Sequence, residues 1–193
     1  MIKYSRPAPK RANGGTSAPG RRATTVAPEG RLVLTDVPGN SRLFVYMIGH
    51  YLHRLEQERR TLYFGDFNLA RVAEIIGMAA IEPGMRDAAF RARYGSLDSV
   101  VGLEGQRGVN ATSIASALGM PRETVRRKLR QLLKLGFIVE KGRARYVWVP
   151  GVAQAPERQA AIARGLHQTV QFMNECLEHG VVQWVAGRGQ RRK

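Results

Sequence analysis

The strongest constraint on the fold lies between Asn110 and Gly151, in NATSIASALGMPRETVRRKLRQLLKLGFIVEKGRARYVWVPG. The apolar period there is helical from Ile114 to Leu118 and stops at Gly119. It resumes through Val125, Leu129 and Leu132 and stops again at Gly136. Beyond Gly136 the period becomes two, in FIVEK and RYVWV around Gly142, which predicts a β-hairpin. Pro121 belongs at the first turn of the second helix, where its missing N–H costs nothing. Gly119 supplies the left-handed backbone of a sharp inter-helix turn, and Ala115 is small where the two helices must cross. Helix, tight turn, helix and hairpin is the order of a winged helix-turn-helix.

Charge points to the partner of this unit. The chain has 193 residues, 31 Lys plus Arg and 15 Asp plus Glu, a formal net charge of +16. Ten bases and two acids lie between Arg107 and Val149, so half of that surplus sits on the predicted unit. Such a balance calls for a polyanion. On a helical wheel with Val125 at zero, Leu129 and Leu132 fall within about 40°. Glu123, Arg127, Arg130 and Lys134 fall at roughly 140–200°, opposite the core, with Arg126 near 100°. A guanidinium can bond guanine twice and a carboxylate can accept from cytosine, so a strip of this kind suits the major groove. Residues near the N-terminus of such a helix reach base edges, so Glu123, Arg126 and Arg127 are the base contacts expected from this face. Thr112, Ser113 and Thr124, near helix starts, with Lys128, Arg130, Lys141, Arg143 and Arg145, are the expected phosphate contacts.

The run IASALGMPRETVRRKLRQLLKLGFI resembles the DNA-binding unit of the bacterial Crp-type regulators. The resemblance covers about forty residues and implies Arg122, Glu123 and Arg127 as base readers, with Thr124 on phosphate. Pro121 stands where that family usually carries Ser, which removes one hydroxyl contact. The cyclic-nucleotide barrel of those regulators has no counterpart here, so their ligand is not transferred. The overall order, helices before the unit and a long helix after it, is similar to MarR-like regulators, whose terminal helices intertwine in a dimer.

The rest of the chain divides around this unit. Residues 1–39 read as a disordered basic arm: six bases, one acid, four prolines and four glycines occupy its first thirty positions. Residues 40–105 read as a helical region for dimerisation or an effector. It opens with an amphipathic helix over 41–60, capped by Asn40 or Ser41. A second helix follows Gly65-Asp66, carries Leu69, Val72, Ala73, Ile76 and Ala80 on one side, and ends at Glu82-Pro83-Gly84. Residues 85–95 suggest a short helix, and Ser96 a cap for another through Leu103. Residues 106–150 are the winged helix-turn-helix domain. Residues 151–186 hold a helix from near Pro156 to Gly180, with a stripe of Ile162, Leu166, Val170, Met173 and Leu177 that reads as a dimer seam. Residues 187–193 are a basic tail.

The fold class expected is therefore mainly α with a small β-hairpin, a winged helix-turn-helix with flanking N- and C-terminal helices. The expected function is sequence-specific double-stranded DNA binding by a homodimeric transcription regulator, reading the major groove with 122–135 and flanking backbone with the 137–149 wing. The alternative is a nucleoid-associated or replication-type protein of low sequence preference. An enzyme is not expected, because no nucleophile–base pair or cofactor fingerprint stands out. No cofactor and no metal site is expected: Gly102, Gly105 and Gly108 lack the strand and GKS/T of a phosphate loop, and His50, His53, His167 and His179 lack ligand spacing. The lone Cys176 excludes an intramolecular disulfide and reads as a packed thiol. No run approaches a membrane span and the N-terminus lacks the apolar stretch of a signal peptide, which implies a cytoplasmic, nucleoid-associated location.

Overall fold

The computed structural model describes residues 30–35, 39 and 41–186. Most described residues, within Leu32–Gln183, belong to one compact unit, and Gly30, Arg31 and residues 184–186 belong to a second, smaller one. In the smaller unit Gly30 lies under the Trp184 indole, where an added Cβ would come within 2.5 Å of the ring.

The described residues form six α-helices and four short strands: β1 (Gly30–Leu34), α1 (Ser41–Leu62), α2 (Phe67–Arg86), α3 (Ala88–Tyr94), α4 (Ala111–Leu118), α5 (Arg122–Lys134), β2 (Ile138–Glu140), β3 (Tyr146–Trp148), α6 (Pro156–Glu178) and β4 (Val182–Ala186). The molecule is thus mainly helical with a small antiparallel hairpin, in which Ile138, Val139 and Glu140 face Trp148, Val147 and Tyr146.

Local chemistry sets the element ends. Asp66 caps α2 by accepting the Leu69 N–H at 3.0 Å, and Asn110 caps α4 by accepting that of Ser113 at 2.9 Å. Gly119 closes α4 at φ 61°, a left-handed conformation that a Cβ would strain. Pro121 stands at the N-cap of α5, one position earlier than the sequence suggests, and offers no side-chain bond. Leu69, Val72, Ala73 and Ile76 of α2 join Ile114, Val125, Leu129, Leu132, Phe137 and Ile138 in the principal core. The α4–α5–hairpin unit therefore rests on α2. Burying each of these larger aliphatics stabilises by roughly 1.5–3 kcal/mol.

Four expectations are corrected. Helix α2 runs through Pro83 to Arg86. Gly84 is a packing glycine, since a Cβ there would meet the Phe90 ring at 2.7 Å. Ser96 starts no helix: its hydroxyl bonds Asp98 in a turn, and 100–110 is irregular. Residues 30–34 of the expected arm instead form β1, paired with β4 near the other end of the chain. The remainder of the arm apart from Thr35 and Gly39, together with Asn40 and the 187–193 tail, lies outside the described residues.

Helices α1 and α6 pack on each other within one chain. Tyr51 stacks on Phe172 at 4.6 Å and its hydroxyl lies 2.9 Å from that of Thr169. Arg164 grips Glu58 with bonds of 2.8 and 3.0 Å. Met47, Cys176 and Val181 form a second small core there. The stripe of Ile162, Leu166, Val170, Met173 and Leu177 faces away from that core and is exposed.

Candidate nucleic-acid interface

Helix α5 divides sharply between core and solvent. Val125, Leu129 and Leu132 are buried, while Arg122, Glu123, Arg126, Arg127 and Arg130 are exposed. All four expected base contacts are thus exposed, with Glu123 and Arg127 opposite the core and Arg122 and Arg126 on its flank. A single acid organises it: Glu123 pairs with Arg130 at 2.8 Å and with Arg126 at 3.6 Å. These are surface pairs, each worth at most about 1 kcal/mol, so the guanidiniums stay available to another anion. Arg127, spaced four from Glu123, makes no ion pair among the described residues. Arg122 reaches across to α4 and donates to the Thr112 hydroxyl at 2.5 Å, joining the first turns of both helices.

The expected phosphate contacts fall into two groups. Thr112, Ser113, Arg130 and Arg143 are exposed, and Thr124 is half-buried. Arg145 is exposed too, with one donor held by the Gly108 carbonyl at 3.1 Å. Lys141 is half-buried and donates to the carbonyls of Leu103 and Gln106, both at 2.7 Å. Its charge anchors the 102–108 segment to the hairpin. Lys128 is a clear correction. It is 7% exposed, and its ammonium pairs with the Asp66 carboxylate at the start of α2. Burial pushes the Asp66 carboxyl up, but the bond from Lys128, the Leu69 N–H and the charges of Lys128 and Arg127 hold it below the usual range.

Several residues outside the predicted set hold the unit in place. Gln106 is buried; its amide donates to the carbonyls of Val101 (3.2 Å) and Trp148 (3.1 Å), and its oxygen accepts the Trp148 N–H at 3.0 Å. Arg158, at the first turn of α6, is buried with its guanidinium 4.5–5.0 Å from the ring centres of Phe137, Trp148 and Tyr63, and donates to the Tyr63 hydroxyl at 3.0 Å. Burial raises the Tyr63 phenol, against the opposing charge and hydrogen bond of Arg158. A buried Arg has no local sequence signature; only the aromatic content of the hairpin hints at a cation's seat. Cys176 is buried as expected, and burial, with the charge of Glu175, pushes its thiol up, away from the reactive thiolate.

Among the described residues no group of three or more His, Cys, Asp or Glu could hold a metal ion, and no helix is long and apolar enough to cross a membrane. Comparison with protein families, curated proteins and solved structures gives no match, so the site is interpreted from its own geometry.

Proposed function

We propose that the protein is a sequence-specific double-stranded DNA-binding regulator that acts as a homodimer. In this reading α4, α5 and the hairpin form a winged helix-turn-helix, and α5 enters the major groove. The observation that carries it is the open face of Glu123, Arg127 and Arg130, flanked by the exposed Arg122 and Arg126, opposite the buried Val125, Leu129 and Leu132. A helix with its side chains is about 10–12 Å across, and the major groove is about 12 Å wide. The expected groove face bears cations around one acceptor, the composition needed to read guanine and cytosine edges over a phosphate-rich wall. Arg143, at the hairpin tip, and Arg145 would meet the flanking backbone. The exposed stripe on α6 favours a second copy, because two-fold readers need matched half-sites about 34–36 Å apart.

Selection of bound fragments from randomised DNA tests this. The expected result is a motif of two related half-sites about one helical turn apart. A steep salt dependence with no sequence preference would instead assign the protein an architectural role. Arg127→Ala should cost about 1–3 kcal/mol and relax preference at one position of each half-site. Equal weakening on all sequences would reduce Arg127 to a phosphate anchor.

A further inference from the structure

A cavity of about 500 Å³ opens between α2, the segment after α3 and the residues around the end of β3. That is the size range of pockets for drug-sized ligands. Its walls include Met78 and Ile81 from α2, Tyr94 from the end of α3, Leu97 and Val101 from the connecting segment, and Trp148 from β3. Gly77, inside α2, helps to shape it: an added Cβ would stand 3.1 Å from the Trp148 indole nitrogen. A mid-helix glycine costs about 1 kcal/mol relative to alanine, so close approach of the indole is what this position gains.

The polar groups on the walls are largely satisfied inside the protein. The three bonds of Gln106 are made within the fold, the Trp148 indole N–H goes to the Ala73 carbonyl at 3.0 Å, and the Gln154 amide goes to Leu97 at 2.8 Å. Glu74 is paired with Arg59 at 3.0 Å, so its charge is already compensated within the protein. A charged ligand would shed its hydration and meet no uncompensated opposite charge. Apolar and aromatic walls with adaptable methionine favour flat hydrocarbon surface instead. Tyr94 and Ser99, whose hydroxyls are neutral, also line the cavity.

We propose that this cavity binds a neutral aromatic small molecule of two or three rings, and that its occupancy is felt by the hairpin through Trp148. Trp148 is both wall and strand. Its backbone is held on both sides by Gln106, and its ring shares the Arg158 guanidinium with Phe137, which precedes β2. A ligand packed on the indole therefore loads both hairpin strands through side chains already in contact. Any consequence for DNA affinity rests on the reading given above; the site and its link to the hairpin do not.

The test uses the full chain carrying Trp184→Phe, a substitution at a half-exposed residue that leaves Trp148 as the one indole. The probe is N-phenyl-1-naphthylamine, a neutral diarylamine. Saturable energy transfer from Trp148 to the probe is expected at one probe per chain. Met78→Glu and Leu97→Glu place a carboxylate at the wall from side chains that are 58% and 44% exposed, so the fold is kept. Each should weaken binding by roughly tenfold or more. Saturating probe should also slow amide exchange across 137–149 in the parent chain. Absent saturable transfer, or affinity unchanged in both variants, overturns the site. Saturable transfer with unaltered exchange overturns the link to the hairpin. Neither readout involves DNA, so a lack of operator preference would count against the regulator reading alone.

Discussion

Lys128→Met removes an ammonium from a nearly closed site while keeping an unbranched stem of similar reach. Its partner Asp66 has a second task as the cap of α2, accepting the Leu69 N–H. Breaking a fully buried pair from one side costs about 3–5 kcal/mol, because the survivor stays charged and dry. The two sides differ here. After Lys128→Met the survivor is Asp66, whose side chain is 28% exposed and keeps its cap bond, so a loss of only about 1 kcal/mol is expected. After Asp66→Asn the cap is preserved, since Asn caps as well as Asp, but the ammonium is stranded with 8% exposure. That variant should lose about 3 kcal/mol. The double variant should resemble Lys128→Met, which gives a coupling of about 2–3 kcal/mol. Urea unfolding followed by helical circular dichroism at fixed pH and salt measures all three. The acid side gives a second check. A carboxyl held below its ordinary value contributes stability that is complete above that value and lost as pH falls through the depressed one. Lys128→Met should shrink this acid-side loss. Finally, a phosphate contact removed would lower the slope of log affinity against log salt by about 0.9. The slope should stay unchanged. A slope change near that size, or a Lys128→Met loss as large as that of Asp66→Asn, would refute the reasoning.

Two further outcomes are expected. Arg158→Met forfeits the stacking on Tyr63, Phe137 and Trp148 as well as a buried hydrogen bond, and should lose about 2–4 kcal/mol in urea unfolding. Arg158→Lys should recover only part, because an ammonium lacks the planar fork; full recovery would mean that charge alone matters. On the proposed homodimer, Leu166→Glu with Val170→Glu, at positions 64% and 57% exposed in one chain, should yield monomers in sedimentation without lowering helix content. Unchanged sedimentation would remove α6 from the dimer interface.

The DNA reading depends on an electrostatic asymmetry that hydrophobic burial creates. Packing Val125, Leu129 and Leu132 on α2 fixes the rotation of α5, and that rotation turns the arginines outward. The basic surface is thus a consequence of the apolar period. The same rotation accounts for Lys128, which follows Val125 by three residues and sits on the core edge of the wheel.

Local chemistry made much of this protein legible from its sequence. The helix start at Asp66, the left-handed turn at Gly119, the buried side of α5 and the alternation in the hairpin all depend on residues a few positions apart. Tertiary structure decided the rest. Lys128 is neutralised by a residue 62 positions away, and Gly84 reads as a stop until the Phe90 ring is seen against it. Glu123 had Arg126, Arg127 and Arg130 within reach of its spacing, and side-chain conformation selected the first and third. Strands β1 and β4 need each other, and Arg158 needs three rings from distant segments. Periodicity and capping are encoded by neighbours along the chain, whereas a strand's partner or a buried charge's counterion is chosen only when remote segments meet.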